Sequence, residues 1–269
     1  MRSARRYLAF VFVLVLFEWG LALEAELISE LPVEGKVVGG DVLDDKLIFS
    51  SPERLWVSTS EGKESFQMSL AADQGVVASQ DGDFFGITTY SKDVPAGFLA
   101  AKRFELYSAD GKRLWKIDDP EVSEFYISNG AELIVGISAG DESPESRLAF
   151  FDQTGELISS TTVGFVNGVS FSANGKYFMV NSAKDGLMSF GESGQLKDNF
   201  GPCDKFAVSP DGDGVATAAD GRLRFFHKGK PIGDSTQINP LIRAISFSPE
   251  NEYLAVADKK NLYLFEVAE

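Results

Sequence analysis

The chain has 269 residues, of which 40 are acidic and 25 basic, and its formal net charge at neutral pH is −15. Phosphate backbones repel a body of this charge, which excludes nucleic-acid binding by charge neutralisation. A single Cys and a single His exclude an internal disulfide framework, a multi-histidine metal centre and a catalytic triad supported by sequence spacing.

The first 25 residues have the pattern of an export signal. Three arginines between residues 2 and 6 precede an unbroken apolar run over residues 7–17. That run is shorter than the roughly 20 residues of a membrane-spanning helix and fits the apolar core of a signal peptide. Small residues at Ala22 and Ala25 predict cleavage near residues 22–25. We therefore expect an exported protein, periplasmic or extracellular. The alternative is that residues 1–25 are retained as a membrane anchor, and only then does the protein contact a membrane.

One short phrase recurs five times: an apolar run, a Ser, a turn pair such as Asp-Gly or Asn-Gly, and a second apolar run. Ser at the start of a turn can bond back to the chain, and Gly accepts a positive φ. The phrase therefore predicts a tight turn between two buried strands, which we call A and B. Its copies, about 35 to 50 residues apart as in propeller blades, begin at Ser79, Ser128, Ser172, Ser209 and Ser248.

A second phrase alternates with the first and predicts two more strands, C and D, joined by a turn centred on Gly. Its copies lie at residues 55–57, 106–107, 150–151, 189–190, 225–226 and 264–265. A lone four-stranded sheet buries neither of its faces, whereas blades stacked around an axis bury both. We predict that residues 26–269 form a single all-β domain, a six-bladed β-propeller, with seven blades as the alternative.

The two ends of the chain complete one another in this interpretation. The first blade is predicted at residues 36–38, 46–51, 54–60 and 64–70. The last blade has only three predicted strands, at residues 243–248, 253–258 and 261–267. The alternating segment Ala25–Leu31 is predicted to supply the missing D strand, which closes the ring and leaves only short edges.

The turn Ser209-Pro210-Asp211-Gly212 between apolar strands resembles the WD-repeat-like and TolB-like propeller families. Residues 106–116 also resemble a blade of the pyrroloquinoline-quinone-type repeat. The resemblance covers essentially the whole chain after the signal. It implies the fold but no specific function, because such propellers host many unrelated activities. The chain lacks the Trp-Asp pair of true WD repeats, and its lone Cys203 departs from the adjacent Cys pair of quinone-dependent enzymes.

Two long B–C connections, over residues 89–102 and 139–146, fall in consecutive blades. The B–C and D–A connections emerge at one end of the blades, which we call the B–C/D–A end, and inserts in repeat proteins often map to the binding face. An acidic D–A link at residues 118–121 lies between the two inserts. The predicted partner-binding residues are Tyr90, Lys92, Asp93, Phe98, Asp118, Asp119, Glu121, Asp141, Glu142 and Glu145. The plainer interpretation is that both inserts are tolerated surface insertions.

Three further features each have a functional and a structural interpretation. Cys203, in a D–A link, is either a reactive thiol or a small buried residue. The segments Asp81-Gly82-Asp83 and Asp211-Gly212-Asp213 are faintly similar to calcium-binding loops. Both lie in A–B turns, however, where the turn itself requires Asp-Gly. His227, beside an outer turn, is interpreted as a solvated turn residue.

These patterns favour a non-catalytic, exported module that binds a protein or peptide partner and needs no cofactor. The alternative is a carboxylate-based hydrolase or lyase with its site in the central channel and a divalent cation such as calcium. A third interpretation is a purely structural envelope protein.

Deleting Ala25–Leu31 is expected to lower the melting temperature by many degrees, because the last sheet then keeps an open edge. Thermal unfolding followed by circular dichroism measures the change. An unchanged melting temperature contradicts closure by this segment.

Overall fold

A computed structural model describes residues 39–43, 46–51, 53–59, 63–91, 100–139, 145–237 and 241–267. The regular structure in these ranges is β, apart from one 3-10 turn at Asn129–Ala131. The chain divides into two compact units, Met1–Ala72 and Asp73–Glu269. Six antiparallel sheets form from strands that follow one another in the chain, and we call these sheets blades 1 to 6.

Blade 1 belongs to the first unit and contains β1 (Gly39–Leu43), β2 (Lys46–Ser50), β3 (Arg54–Thr59) and β4 (Glu64–Ser69). Its first strand pairs Gly39 with Ser50 and Leu43 with Lys46. The sequence predicted this strand at residues 36–38, which lie outside the described residues; the pairing shows a strand at Gly39–Leu43 that was not predicted.

The second unit contains the other five blades. Blade 2 has β5 (Gln74–Ala78), β6 (Phe84–Tyr90), β7 (Ala101–Ser108) and β8 (Arg113–Asp118). Blade 3 has β9 (Glu124–Ile127), β10 (Leu133–Ala139), β11 (Glu145–Asp152) and β12 (Leu157–Gly164). Blade 4 has β13 (Val166–Phe171), β14 (Phe178–Ser182), β15 (Gly186–Phe190) and β16 (Leu196–Gly201).

Blade 5 has β17 (Lys205–Val208), β18 (Gly214–Ala219), β19 (Arg222–His227) and β20 (Lys230–Gln237). Within the described ranges, blade 6 has three strands, β21 (Ala244–Phe247), β22 (Tyr253–Ala257) and β23 (Leu262–Glu266). The segment Ala25–Leu31, predicted as its fourth strand, lies outside the described residues. The all-β class and the antiparallel blades are confirmed, while the total number of blades stays a prediction.

Successive blades of the second unit bury their faces against each other. Strands β14 and β15 are buried at every residue, whereas the D strand β8 is largely exposed, as expected for an outer strand. Aromatic pairs cross the four interfaces from blade 2 to blade 6: Phe104–Phe125, Phe150–Phe178, Phe200–Phe226 and Phe225–Phe265. Stacking of otherwise unprotected sheets is therefore what builds the core.

The repeated Ser and Asx residues hold the A–B turns closed. Ser172 Oγ donates to Asn174 Oδ1 at 2.7 Å, and Ser209 Oγ donates to Asp211 Oδ1 at 2.5 Å. Gly175 then takes a φ of 72° and donates its N–H to the carbonyl of Ser172 at 2.9 Å. The turn chemistry predicted from the sequence is confirmed.

The same Asx residues also join one blade to the next. In blade 2, Asp81 Oδ2 accepts the N–H of Gly130 in blade 3 at 2.7 Å. In blade 4, the Asn174 side-chain amide donates to the carbonyl of Asp211 in blade 5, and its backbone N–H donates to the Pro210 carbonyl at 3.0 Å. The turn motif is thus also an inter-blade fastening.

We expect Asn174→Asp to lower the stability of the protein by about 1 kcal/mol, the usual net contribution of a hydrogen bond. Asp keeps the acceptor for Ser172, as in the turns of blades 2 and 5, but loses the donor to Asp211. Urea unfolding measures the loss, with the exposed Lys176→Ala in the same turn as the control. Equal stability of the two variants contradicts the inter-blade role.

Asp258 closes the B–C turn of blade 6. Its Oδ1 accepts the backbone N–H groups of Lys260 at 2.6 Å and Asn261 at 2.7 Å, and its Oδ2 accepts the Tyr263 hydroxyl at 3.2 Å. These hydrogen bonds lower the pKa of the carboxyl to about 2, and the one from Lys260 has the largest effect. A pKa below the unfolded value of about 3.9 means that the carboxylate stabilises the fold above that pH and loses this effect as the pH falls towards 2.

Asp258→Asn is therefore expected to lower the melting temperature at pH 7, with the difference from the unchanged protein shrinking between pH 4 and pH 2. Asp220→Asn, at the exposed B–C turn of blade 5, is the control. A difference that stays constant over this pH range contradicts the assignment.

Candidate partner-binding site

The structure describes five of the predicted partner-binding residues and places them at the B–C/D–A ends of blades 2 and 3. Tyr90 ends β6, Asp118 ends β8, and Glu145 begins β11. Asp119 and Glu121 lie in the link between β8 and β9. The other five, Lys92, Asp93, Phe98, Asp141 and Glu142, lie outside the described residues.

Asp118 forms ion pairs with two bases of its own blade. Arg103 Nε lies 2.6 Å from Asp118 Oδ1, and Lys116 Nζ lies 2.7 Å from Asp118 Oδ2. The hydrogen bonds from Lys116 and Arg103 lower the pKa of this carboxyl, so it stays ionised well below neutral pH. The β7–β8 register places Arg103 opposite Asp118, and this cross-strand pair was not identified from the sequence.

The other two charged contacts join different elements. Arg147 reaches Glu121 at 2.7 Å, and Lys184 of blade 4 reaches Glu145 of blade 3 at 3.3 Å. Three of the predicted acidic residues, Asp118, Glu121 and Glu145, are therefore paired with basic side chains. The four bases, Arg103, Lys116, Arg147 and Lys184, were missed because the sequence shows no pairing across strands or blades.

The acidic link itself has a constrained backbone. Asp119 and Glu121 have φ values of 49° and 53°, in the left-handed region that residues with a side chain rarely adopt. The buried Pro120 lies between them, and the Asp119 N–H donates to the Lys102 carbonyl at 2.8 Å. Such conformations persist only where the surroundings impose them, so the backbone of the link is held in a defined conformation.

Tyr90 packs against the body of blade 2. Its ring covers Gly75, where a Cβ would lie 3.1 Å from Tyr90 Cε2, and the residue is half-buried. Burial, followed by the charge of Glu124, raises the pKa of the Tyr90 hydroxyl. The hydroxyl therefore remains protonated at neutral pH and can serve as a donor.

Glu124 and Tyr126 of β9 extend this group. The Tyr126 hydroxyl donates to Glu124 Oε2 at 2.8 Å, and burial followed by this hydrogen bond raises the pKa of Tyr126. Both residues were missed from the sequence. Their spacing of two residues in a strand, which puts them on one face, was the available signal.

Cys203 packs against the apolar cluster between blades 4 and 5. Burial, with a smaller contribution from Asp204, raises the pKa of its thiol to about 11. Reactive cysteines have a lowered pKa, so this environment is the opposite of an activating one. His227, the last residue of β19, is exposed.

Among the residues in the described ranges, no three Asp, Glu, His or Cys side chains come together in a group that could hold a metal ion. The Asp81 carboxylate, in one of the calcium-like segments, accepts hydrogen bonds from Ser79 and Gly130 instead. No helix within those ranges is both long and apolar enough to cross a membrane.

Comparison with solved structures identifies the fold. Hsv2 of Kluyvelomyces marxianus superimposes with a TM-score of 0.60 and 15% identity, covering 87% of this chain and 77% of its own. Hsv2 of Kluyveromyces lactis superimposes with a TM-score of 0.60 and 17% identity, and the match covers 87% of this chain and 75% of Hsv2. Hsv2 is a WD40-like propeller with seven blades. This chain has a β-propeller-type fold.

Hydrazine synthase of Kuenenia stuttgartiensis shares the fold with a TM-score of 0.56 and 12% identity, covering 89% of this chain and 86% of its own. No protein-family model and no curated protein matches the sequence. Proteins with names as different as Hsv2 and hydrazine synthase show that this fold alone does not define an activity.

Proposed function

We propose that this protein is an exported, non-catalytic binding module that recognises a protein or peptide at the B–C/D–A end of blades 2 and 3. The observation that carries the proposal is the unequal length of the B–C connections. β6 ends at Tyr90 and β7 begins at Ala101, whereas β18 ends at Ala219 and β19 begins at Arg222. The signal-like residues 1–25 support export.

The paired charges at this end suit reversible recognition. Exposed ion pairs contribute only about 0–1 kcal/mol to folding, so exchanging an internal partner for one on a ligand costs little. Arg147 and Glu121 are 36% and 77% exposed and lie beside the link to blade 3. A partner carrying charges of both signs matches this surface, and such complementarity mainly gives specificity and rapid association.

A capture experiment with the full chain tests the proposal. Immobilised protein is incubated with an envelope extract, and bound proteins are compared with those bound by a variant carrying Phe98→Ala, Asp141→Asn, Glu142→Gln and Glu145→Gln. We expect one or more proteins to be retained by the unchanged chain and at least tenfold less by the variant, because the variant loses its apolar contact and three charges.

Glu156→Gln with Glu192→Gln is the matched control, since both side chains are exposed at the opposite end of blades 3 and 4. The control is expected to retain the same proteins, and both variants are expected to melt at the temperature of the unchanged chain. Equal retention by all three proteins contradicts binding at this end.

A further inference from the structure

A cavity of about 120 Å³ lies between blades 4 and 5. Its apolar lining includes Tyr177, Met179 and Phe200. The A–B and C–D turns of blade 5 contribute Asp213 and Lys228, so the cavity lies at the opposite end of the sheets from the proposed partner-binding site. The 66% exposed side chain of Lys228 shows that the cavity reaches the surface.

The cavity exists because blade 4 breaks a packing pattern. The pairing between strands C and D shifts register once in blade 2 and once in blade 3. The C-strand residue just before the shift is Leu106 in blade 2 and Phe150 in blade 3, and both are fully buried. Each belongs to the apolar cluster shared with the following blade. The same position in blade 4 is Ser189, which leaves unfilled the space that a large apolar side chain occupies in the two preceding interfaces.

The D-strand residue opposite this position differs from blade to blade: it is Trp115 in blade 2, Ser159 in blade 3 and Asp198 in blade 4. Trp115 stands opposite Leu106 and covers Gly155 in the C–D turn of blade 3. The residue opposite Ser189 is Asp198, and its carboxylate lies against Gly229 in the C–D turn of blade 5, leaving no room there for a Cβ. Of these three blades, blade 4 is therefore the one in which both members of the pair are polar, a hydroxyl and a carboxylate.

The hydroxyl of Ser189 has no hydrogen-bond partner among the described residues. The residue is only 3% exposed. Buried hydroxyl groups in folded proteins are almost always hydrogen-bonded, because leaving one unpaired carries the full desolvation penalty. A bound group with a hydrogen-bond donor satisfies this oxygen.

The charges around the cavity select a cation. Asp213 forms an ion pair with Lys228 at 3.3 Å. Within the described ranges no basic side chain forms an ion pair with Asp198, so the two carboxylates and one ammonium leave one negative charge in excess. The bound group should therefore carry a single positive charge and donate to both Asp198 and Ser189.

The shape of the space favours a planar group. The equivalent space in the preceding interface holds the flat ring of Phe150, which lies against Gly194. A guanidinium group is planar, carries one positive charge, has five N–H donors and stacks on aromatic rings. We propose that this cavity binds a guanidinium group that donates to the Asp198 carboxylate and to Ser189 Oγ, with aromatic contact from the wall.

The test is a titration of the ¹⁵N-labelled full chain with methylguanidinium chloride, followed by amide NMR. We expect saturable shifts of the Gly212 and Gly229 signals with a dissociation constant of about 1 mM or below. Methylammonium chloride at equal ionic strength is the control for charge without planarity, and its binding is expected to be at least tenfold weaker.

Two variants assign the site. Ser189→Leu restores the residue of blade 2, fills the cavity and is expected to fold and to lose the saturable shifts. Asp198→Asn removes the unpaired charge and is expected to weaken binding at least tenfold, which keeps the test decisive if the first variant does not fold. Asp220→Asn, at the other end of blade 5, is expected to bind as the unchanged chain does.

Non-saturable shifts, equal binding of methylammonium, or unchanged binding by Asp198→Asn overturns the proposal. A Gly-Arg-Gly peptide separates the two sources of the group. Tenfold tighter binding of the peptide indicates an arginine side chain of a polypeptide, and equal binding indicates a free guanidino compound. Because this site is at the other end of the sheets, its failure leaves the proposed partner-binding function intact.

Discussion

In the second unit, blade 4 has apolar side chains on both of its faces, and these faces are stable only when the neighbouring blades cover them. Phe178 in β14 and Leu187 in β15 are fully buried only because the adjacent blades cover them. Each square ångström of apolar surface removed from water contributes roughly 25 cal/mol. Stacking is therefore a condition for any blade to persist, and it explains why one supersecondary unit is repeated along the chain.

Burial alone does not fix how far one sheet slides over the next. The A–B turns supply that restraint, because Asp81 and Asn174 each bond within their own turn and to the following blade. Directional hydrogen bonds at the ends of the sheets thus complement the non-directional apolar contact between their faces. A framework held in this way leaves the B–C connections free to vary in length, which is where recognition elements on rigid scaffolds are commonly found.

The sequence predicted those features that depend on local chemistry. The Ser and Asx residues of the A–B turns and the Gly residues of the C–D turns identified the blades because their backbone requirements are local. The first strand of blade 1 was predicted at residues 36–38, outside the described residues, whereas only pairing with β2 reveals the strand at Gly39–Leu43.

The chemistry of the candidate sites depended on contacts between strands and blades that the sequence does not show. Lys184 is paired with Glu145 across a blade interface, and Tyr90 is covered by contacts at the start of blade 2. Ser189 was visible as a polar residue in an otherwise apolar phrase, yet only packing shows that it is buried without a partner. Patterns within one strand were readable, whereas pairings between distant segments were not.

The raised pKa of Cys203 has a consequence for the redox chemistry of the molecule. With a pKa of about 11, only roughly one thiol in ten thousand is in the nucleophilic thiolate form at pH 7. Exchange with disulfides in the surroundings and oxidation by peroxides both require that form. The packing of this sulfur therefore slows both reactions at neutral pH.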